Sequence, residues 1–172
     1  MAKQDIILDF HEPKIASRPE AATLPLILLA EDSADDALLM RLAFQKTDLS
    51  NPLAIVRDGQ DAIDYLRGDG PYADRQMHPF PGLLLLDLKM PRMNGFDVLA
   101  WLRRHPELDG LSVVVVSTSA LESDIQKAMD LGAHEYRVKP TGFDALVAML
   151  QELHARWLSE GANRVCQKVP VA

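Results

Sequence analysis

The sequence predicts an α/β fold, in which helices cover both faces of a doubly wound parallel sheet of five strands. Short apolar runs alternate along the chain with segments of helical periodicity, and the central run contains four consecutive leucines, Leu83 to Leu86. An apolar run bounded by turn signals is typical of a strand that is buried on both faces. Strands that alternate with helices form parallel sheets with right-handed crossover connections and helices on both sides.

The overall composition is that of a globular protein with one core. The chain has 172 residues, of which 48% are hydrophobic and 25% charged, and this balance excludes wholesale disorder. A net charge of -7 argues against binding to nucleic acid or to an anionic membrane. The single cysteine, Cys166, excludes an intrachain disulfide and indicates a cytoplasmic location. We find neither a signal peptide nor a membrane-spanning run.

The first half of the chain begins with a predicted extended arm, residues 1–24, which contains Pro13 and Pro19. The core domain is predicted over residues 25–158, and its first strand is Leu26 to Ala30. Ser33 is expected to cap a helix that ends near Thr47. The predicted inward stripe of that helix is Leu38, Leu39, Leu42 and Ala43, and its first turn contains Asp35 and Asp36.

The second strand and helix are predicted at residues 53–56 and 59–67. A loop rich in glycine and proline, residues 68–82, separates this helix from the central strand and is longer than usual for such a connection. The loop is either an insertion or a recognition surface, and its role is left open. After the central strand, Asn94 or Gly95 is expected to begin the third helix, which ends near His105.

The last part of the chain contains two strands, predicted at residues 113–116 and 134–138. The helix between them, residues 122–131, has only a narrow apolar stripe of Ile125, Ala128 and Met129. The final helix, Gly142 to about Trp157, has the strongest helical period of the chain, through Phe143, Leu146, Val147, Leu150, Leu153 and Trp157. Residues 159–172 are predicted to be a tail.

Polar side chains follow the predicted strands at the edge where ligands bind in open α/β sheets. Glu31 and Asp32 follow the first strand and Asp87 the third, while Ser117 and Lys139 lie at the ends of the fourth and fifth strands. Three carboxylates close together repel one another unless a cation lies between them. Mg²⁺ prefers oxygen ligands and needs only one or two direct carboxylates, so it is the predicted cofactor.

These residues resemble the signature of the response-regulator receiver domain of two-component signalling. The resemblance covers about residues 25 to 157 and includes the turn DLKMPRMNG after the central strand, the pair Gly132-Ala133 and the dipeptide Lys139-Pro140. It implies a flavodoxin-like (βα)5 fold with strand order 2-1-3-4-5. It also implies that the chain is a phosphoacceptor and not an enzyme with a separate substrate.

The resemblance also implies a role for each site residue. Asp87 would take a phosphoryl group from a phosphohistidine of a sensor histidine kinase. Asp32, Asp87 and the main-chain carbonyl of Lys89 would bind Mg²⁺ directly, and Glu31 largely through water. The phosphoryl oxygens would be bound by Ser117 and Lys139. Tyr136 would be an aromatic switch that turns inward when Ser117 is drawn to the phosphate.

A narrower resemblance is to the stand-alone regulators paired with bacterial phytochrome kinases. It lies in the segment GDGPYA (Gly68 to Ala73), the turn at His105 to Leu108, the run Ser117 to Ile125 and the final Trp157-Leu158. It implies a phytochrome-type kinase as partner and a homodimer formed through the last helices or the terminal arms. Ala145, Ala148 and Met149 lie off the main stripe of the last helix and are the predicted dimer face.

Three alternative functions share parts of this pattern. A flavodoxin-like cofactor binder would need a phosphate-binding loop after the first strand, where this chain has acids. An aspartyl-phosphate hydrolase of the dehalogenase type would space its two acids by one residue, whereas Glu31 and Asp32 are adjacent. A receiver-like scaffold that is never phosphorylated is the nearest alternative.

Overall fold

The structure, a computed structural model, describes residues 24–47 and 49–158. The predicted tail and all of the predicted arm except Leu24 lie outside these residues. In the described part, five strands alternate with five helices: β1 (Leu26–Ala30), α1 (Ala34–Lys46), β2 (Leu53–Val56), α2 (Gly59–Arg67), β3 (Pro81–Leu86), α3 (Gly95–Leu102), β4 (Ser112–Ser117), α4 (Glu122–Asp130), β5 (Glu135–Val138) and α5 (Phe143–Trp157). Short 3-10 turns occur at Gly70–Tyr72 and Pro106–Leu108.

The strands form one parallel sheet in the order β2-β1-β3-β4-β5, which confirms the predicted fold. Ala30, the last residue of β1, is in register with Val56 of β2 and with Leu86 of β3. Ser117 at the end of β4 is in register with Val138 of β5. The residues that follow these strands therefore leave the sheet at one edge.

Two apolar layers fill the space between the sheet and its helices. Alternate residues of each strand point to opposite faces, so Leu84 and Leu86 pack with α2, α3 and α4, while Leu83 and Leu85 pack with α1 and α5. All six residues of β3 are buried. This double burial explains why the central strand has a continuous apolar sequence.

The predicted inward stripe of α1 is wrong at three of its four positions. Leu38, Leu39 and Leu42 are 54%, 46% and 43% exposed, and the buried residues are Met40, Ala43 and Phe44. The helix is apolar on two overlapping stripes, and both have helical spacing. Packing against α5 and the sheet, and not the local period, decides which stripe lies inside.

The last two helices also differ from the sequence prediction in detail. Met149, assigned to the dimer face, is only 7% exposed and packs in the core with α1, whereas Ala145 and Ala148 are exposed. Phe143 and Met129, assigned to inward stripes, are 40% and 41% exposed. Phe143 begins α5 and Met129 lies near the end of α4, so both occupy end turns of their helices.

No helix in residues 24–47 or 49–158 is long and apolar enough to cross a membrane.

Candidate functional site

Backbone hydrogen bonds continue past the last ladder pairs and hold the strand ends together at one edge of the sheet. The amide of Asp87 donates to the carbonyl of Ala30 over 3.0 Å, and the amide of Lys139 donates to the carbonyl of Ser117 over 2.8 Å. The amide of Glu31 donates to the carbonyl of Val56 over 3.0 Å. The candidate site therefore sits on the hydrogen-bonded framework of the sheet.

Glu31, Asp32 and Asp87 form an acidic cluster at this edge. Each offers one carboxylate oxygen, and the three oxygens lie within 4.8 Å of one another. Glu31 and Asp87 are only 2% and 6% exposed, whereas Asp32 is exposed. Burial raises the pKa of Glu31, since a charged carboxylate is costly away from water. Two buried acids and one that faces solvent suit a hydrated divalent cation such as Mg²⁺.

Lys139 brings one positive charge to the cluster. Its ammonium donates hydrogen bonds to Glu31 Oε2 over 2.6 Å and to Asp36 Oδ2 over 2.9 Å. Asp87 Oδ2 lies 3.8 Å from the same nitrogen, which is beyond hydrogen-bonding distance. Burial disfavours the charged amine, but the two hydrogen bonds and the charge of Asp87 raise the pKa of Lys139. The amine therefore stays protonated beside the acids.

The turn after β3 fixes the carboxylate of Asp87. Asp87 Oδ1 accepts a hydrogen bond from the amide of Leu88 over 2.8 Å, and the amide of Gly95 donates to the carbonyl of Leu88 over 3.1 Å. A Cβ atom at Gly95 would collide with the Asp87 carbonyl oxygen, so glycine is required where α3 begins. Lys89 lies in this turn with an exposed side chain.

A second connection ties this turn to the start of α2. The guanidinium of Arg92 pairs with the carboxylate of Asp58, which is 2% exposed and caps α2 by accepting from the amide of Asp61. The amide of Gly59 also donates to the carbonyl of Met93 over 3.1 Å. The backbone of Arg92 has a φ of 63°, a conformation that is uncommon outside glycine.

Ser117 and Tyr136, the predicted switch pair, both contact the segment that follows β4. Ser117 is fully buried, and its Oγ accepts a 3.4 Å hydrogen bond from the amide of Ser119. The hydroxyl of Tyr136, which is half-buried, donates to the carbonyl of Ser119 over 2.9 Å. Burial raises the pKa of Tyr136. The Ser119 hydroxyl in turn donates to Asp124 Oδ2 of α4 over 2.5 Å.

The structure thus brings Glu31, Asp32, Asp87 and Lys139 together at the predicted edge. Sequence reasoning missed Asp36 as a partner of Lys139, because it placed that carboxylate only in the first turn of α1. A usable signal was present: α1 begins directly after the acids that follow β1, so its first turn lies at the same edge. The pairing of Asp58 with Arg92 had no local signal in the sequence.

Comparisons with known proteins identify the family. Residues 27–151 match the model of the response regulator receiver domain, and the chain belongs to this family. It is 35% identical to the response regulator Rcp1 of Synechocystis sp., over 77% of this chain and 88% of Rcp1. It is 34% identical to the probable methanogenesis regulatory protein FilR2 of Methanothrix harundinacea, over 81% of this chain and 86% of FilR2.

Solved structures give the same result. The phosphorylated cyanobacterial phytochrome response regulator RcpA has a TM-score of 0.72 at 35% identity, covering 79% of this chain and 95% of RcpA. A response regulator in red light signaling of R. palustris has a TM-score of 0.76 at 33% identity, covering 87% of this chain and 100% of that chain. The protein is therefore a receiver-domain response regulator that is homologous to phytochrome response regulators.

Proposed function

We propose that Asp87 accepts a phosphoryl group from a phosphohistidine on a sensor histidine kinase. A carboxylate oxygen of Asp87 forms the new bond to phosphorus, and the phosphorus–nitrogen bond breaks with its electron pair passing to the imidazole. The observation that carries the proposal is the acidic cluster, whose oxygens lie within 4.8 Å of one another beside the ammonium of Lys139. Phosphoryl transfer depends mainly on charge neutralisation and alignment.

We assign Mg²⁺ as the cofactor of this site. Asp32, Asp87 and the main-chain carbonyl of Lys89 would hold the ion, and Glu31 would contribute through water. When bound, the ion neutralises charge on the acids and on the phosphoryl oxygens. The oxygen donor set of the cluster is the one that Mg²⁺ prefers. A Mn²⁺-bound form of the homologue Rcp1 has been crystallised, at 34% identity to this chain.

Ser117 and Lys139 are the proposed partners of the phosphoryl oxygens, and Ser117 with Tyr136 forms the proposed switch. An ammonium has three N–H donors, and two of those on Lys139 are used by Glu31 and Asp36. The third is left for a phosphoryl oxygen on Asp87. Movement of Ser117 toward that group would alter the Ser119 segment that Tyr136 and α4 both contact.

A phytochrome-type kinase is the partner that the comparisons support best, because the names of several relatives refer to phytochromes. We place the protein in the cytoplasm, because its single cysteine suits a reducing compartment. We assign it no nucleic-acid or membrane partner, given its net charge of -7.

We also propose a homodimer through the last helices or terminal arms, with Ala145 and Ala148 as the exposed residues of α5 at that face. Light scattering of the full chain and of one lacking residues 1–22 and 159–172 separates these two routes.

The phosphoacceptor role is tested by incubating the protein with Mg²⁺ and acetyl phosphate and measuring the intact mass. We expect one added phosphoryl group that hydroxylamine removes, and no addition to Asp87→Asn. If the folded wild-type protein gains no mass, the phosphoacceptor proposal is wrong and the scaffold function is favoured. Omission of Mg²⁺ is expected to abolish the addition.

A further inference from the structure

Asp36 is a carboxylate at the site edge to which the proposed function gives no task. It lies in the first turn of α1, where its amide donates to the Ser33 hydroxyl oxygen over 3.2 Å. Its side chain is 37% exposed and accepts a 2.9 Å hydrogen bond from the ammonium of Lys139. Asp36 and Lys139 are 103 residues apart in the sequence, so the tertiary fold alone creates this contact.

The hydrogen bond from Lys139 to Asp36 affects the position of the Lys139 ammonium relative to Asp87. Glu31 holds the ammonium from one side over 2.6 Å and Asp36 holds it over 2.9 Å, while Asp87 Oδ2 stays 3.8 Å away. A displacement of about 1 Å would turn that gap into a hydrogen bond to Asp87. With Asp36 in place, the oxygens of Asp87 are not hydrogen-bonded to Lys139.

We propose that Asp36 is a positioning residue that keeps the Lys139 ammonium off Asp87 before phosphorylation. An Asp87 oxygen that accepts a charged hydrogen bond is a weaker nucleophile and a weaker Mg²⁺ ligand, because its lone pair and charge are already engaged. The same 3.8 Å gap leaves space for a phosphoryl oxygen to meet the ammonium once Asp87 has reacted. The inference rests on the proposed phosphoacceptor role of Asp87.

Asp35 provides a matched control. It is an exposed aspartate in the same first turn of α1, so its charge interacts with the helix dipole as that of Asp36 does. Asp35→Asn therefore removes one negative charge near the site without removing the contact to Lys139. Asp36→Asn keeps the shape of the side chain but removes the charge that holds the ammonium.

The test is the rate of phosphorylation by acetyl phosphate at saturating Mg²⁺, together with the lifetime of the phosphorylated protein. We expect Asp36→Asn to slow phosphorylation about fivefold and to change the lifetime less than twofold, since the phosphoryl group itself then attracts Lys139. Asp35→Asn should change both by less than twofold, and Asp36→Glu should recover part of the rate. Asp36→Ser serves as a second variant if Asp36→Asn does not fold.

A measurement without phosphotransfer is the dissociation constant of Mg²⁺ by calorimetry. Asp36→Asn should weaken Mg²⁺ binding about fivefold, because the released ammonium competes for Asp87, and Asp35→Asn should not. Equal rates and equal Mg²⁺ affinities for the two variants would overturn the inference. Failure of the wild-type protein to be phosphorylated would instead overturn the proposed function, so the two failures are distinguishable.

Discussion

The hydrogen bond of 2.6 Å from the Lys139 ammonium to Glu31 Oε2 joins the ends of β5 and β1, two strands that β3 and β4 separate in the sheet. Glu31 Oε1 accepts a second bond, from the amide of Ser33 over 3.3 Å. Both oxygens of this buried acid are therefore engaged, which offsets part of the cost of burying its charge. In the described residues, Asp32 and Asp87 receive no hydrogen bond from a cationic side chain.

Addition of Mg²⁺ should therefore stabilise the folded protein. A ligand that binds only the native state at a free concentration of about 100 times its dissociation constant contributes about 2.7 kcal/mol. We expect this gain in the free energy of unfolding, measured by urea denaturation with and without Mg²⁺. Asp32→Asn and Asp87→Asn should lose most of the gain, and Asp35→Asn should keep it. Equal stabilisation of Asp32→Asn would place the ion elsewhere.

The fold and the acidic edge could be predicted because their signals are local. An apolar run that is followed by an acid predicts a buried strand and also shows at which end of the strand the acid lies. The run of leucines before Asp87, which begins the turn DLKMPRMNG, is such a pattern. The parallel register then brings Glu31 and Asp87 to the same level. This much needs only the alternation of strands and helices.

The features that could not be predicted depend on how a helix is rotated about its axis or on contacts between residues that are distant in the sequence. Two apolar stripes of α1 have the same period, so the burial of Met40 in place of Leu39 follows only from packing against α5. The contact of Asp36 with Lys139 depends on the position of α1 over the sheet edge. The rotation of α1 has no counterpart in local sequence, and the contact of Asp36 had only the indirect signal that α1 begins directly after the acids that follow β1.

Gly95→Ala should destabilise the protein and disturb the site, because the added methyl group would meet the carbonyl of Asp87 and the Cα of Leu88. Overpacking of this kind costs about 1–3 kcal/mol. We expect a loss of that size in the free energy of unfolding and a weaker affinity for Mg²⁺. Gly142→Ser is the control, since a Cβ atom at Gly142 meets no atom within 4 Å and serine suits the capping position before a helix. An unchanged Mg²⁺ affinity in Gly95→Ala would show that the turn tolerates the shift.

Glu135 should make the stability of the protein depend on acidic pH. Burial alone would raise the pKa of Glu135, but hydrogen bonds from Trp157 over 2.8 Å and Arg137 over 2.5 Å hold it below the ordinary value of 4.5. The folded state thus binds the proton less tightly than the unfolded state. The stabilisation is complete above pH 4.5 and is lost as the pH falls through the folded pKa.

Glu135→Gln tests this dependence by urea denaturation at several pH values. We expect it to lower the free energy of unfolding by about 1 kcal/mol at pH 7, with the difference from wild type shrinking as the pH falls below the unfolded pKa. Glu152→Gln is the control, because Glu152 also pairs with Arg137 but is 62% exposed and should contribute little. A difference for Glu135→Gln that is independent of pH would contradict the assignment.

The long connection between α2 and β3 is held in place by Arg75. Its guanidinium donates to the carbonyls of Tyr65 and Leu66 over 2.8 and 2.6 Å at the end of α2, where the Tyr65 carbonyl also accepts from the amide of Gly68 over 3.2 Å. The same connection packs the ring of Tyr72 on that of Tyr65, with centroids 4.9 Å apart. This arrangement is ordered packing, whereas the sequence left open whether the connection is an insertion or a recognition surface.

Arg75→Ala should therefore lower the free energy of unfolding by about 2 kcal/mol, the range for hydrogen bonds from charged groups. Arg75→Lys should lose part of this, because an ammonium lacks the planar fork that reaches two carbonyls at once. Arg67→Ala is the matched control: Arg67 is also at the end of α2, but it is 56% exposed and pairs with Asp69, so we expect a change of about 0.5 kcal/mol or less. If Arg75→Ala were as stable as Arg67→Ala in urea denaturation, the connection would not depend on Arg75 for its structure.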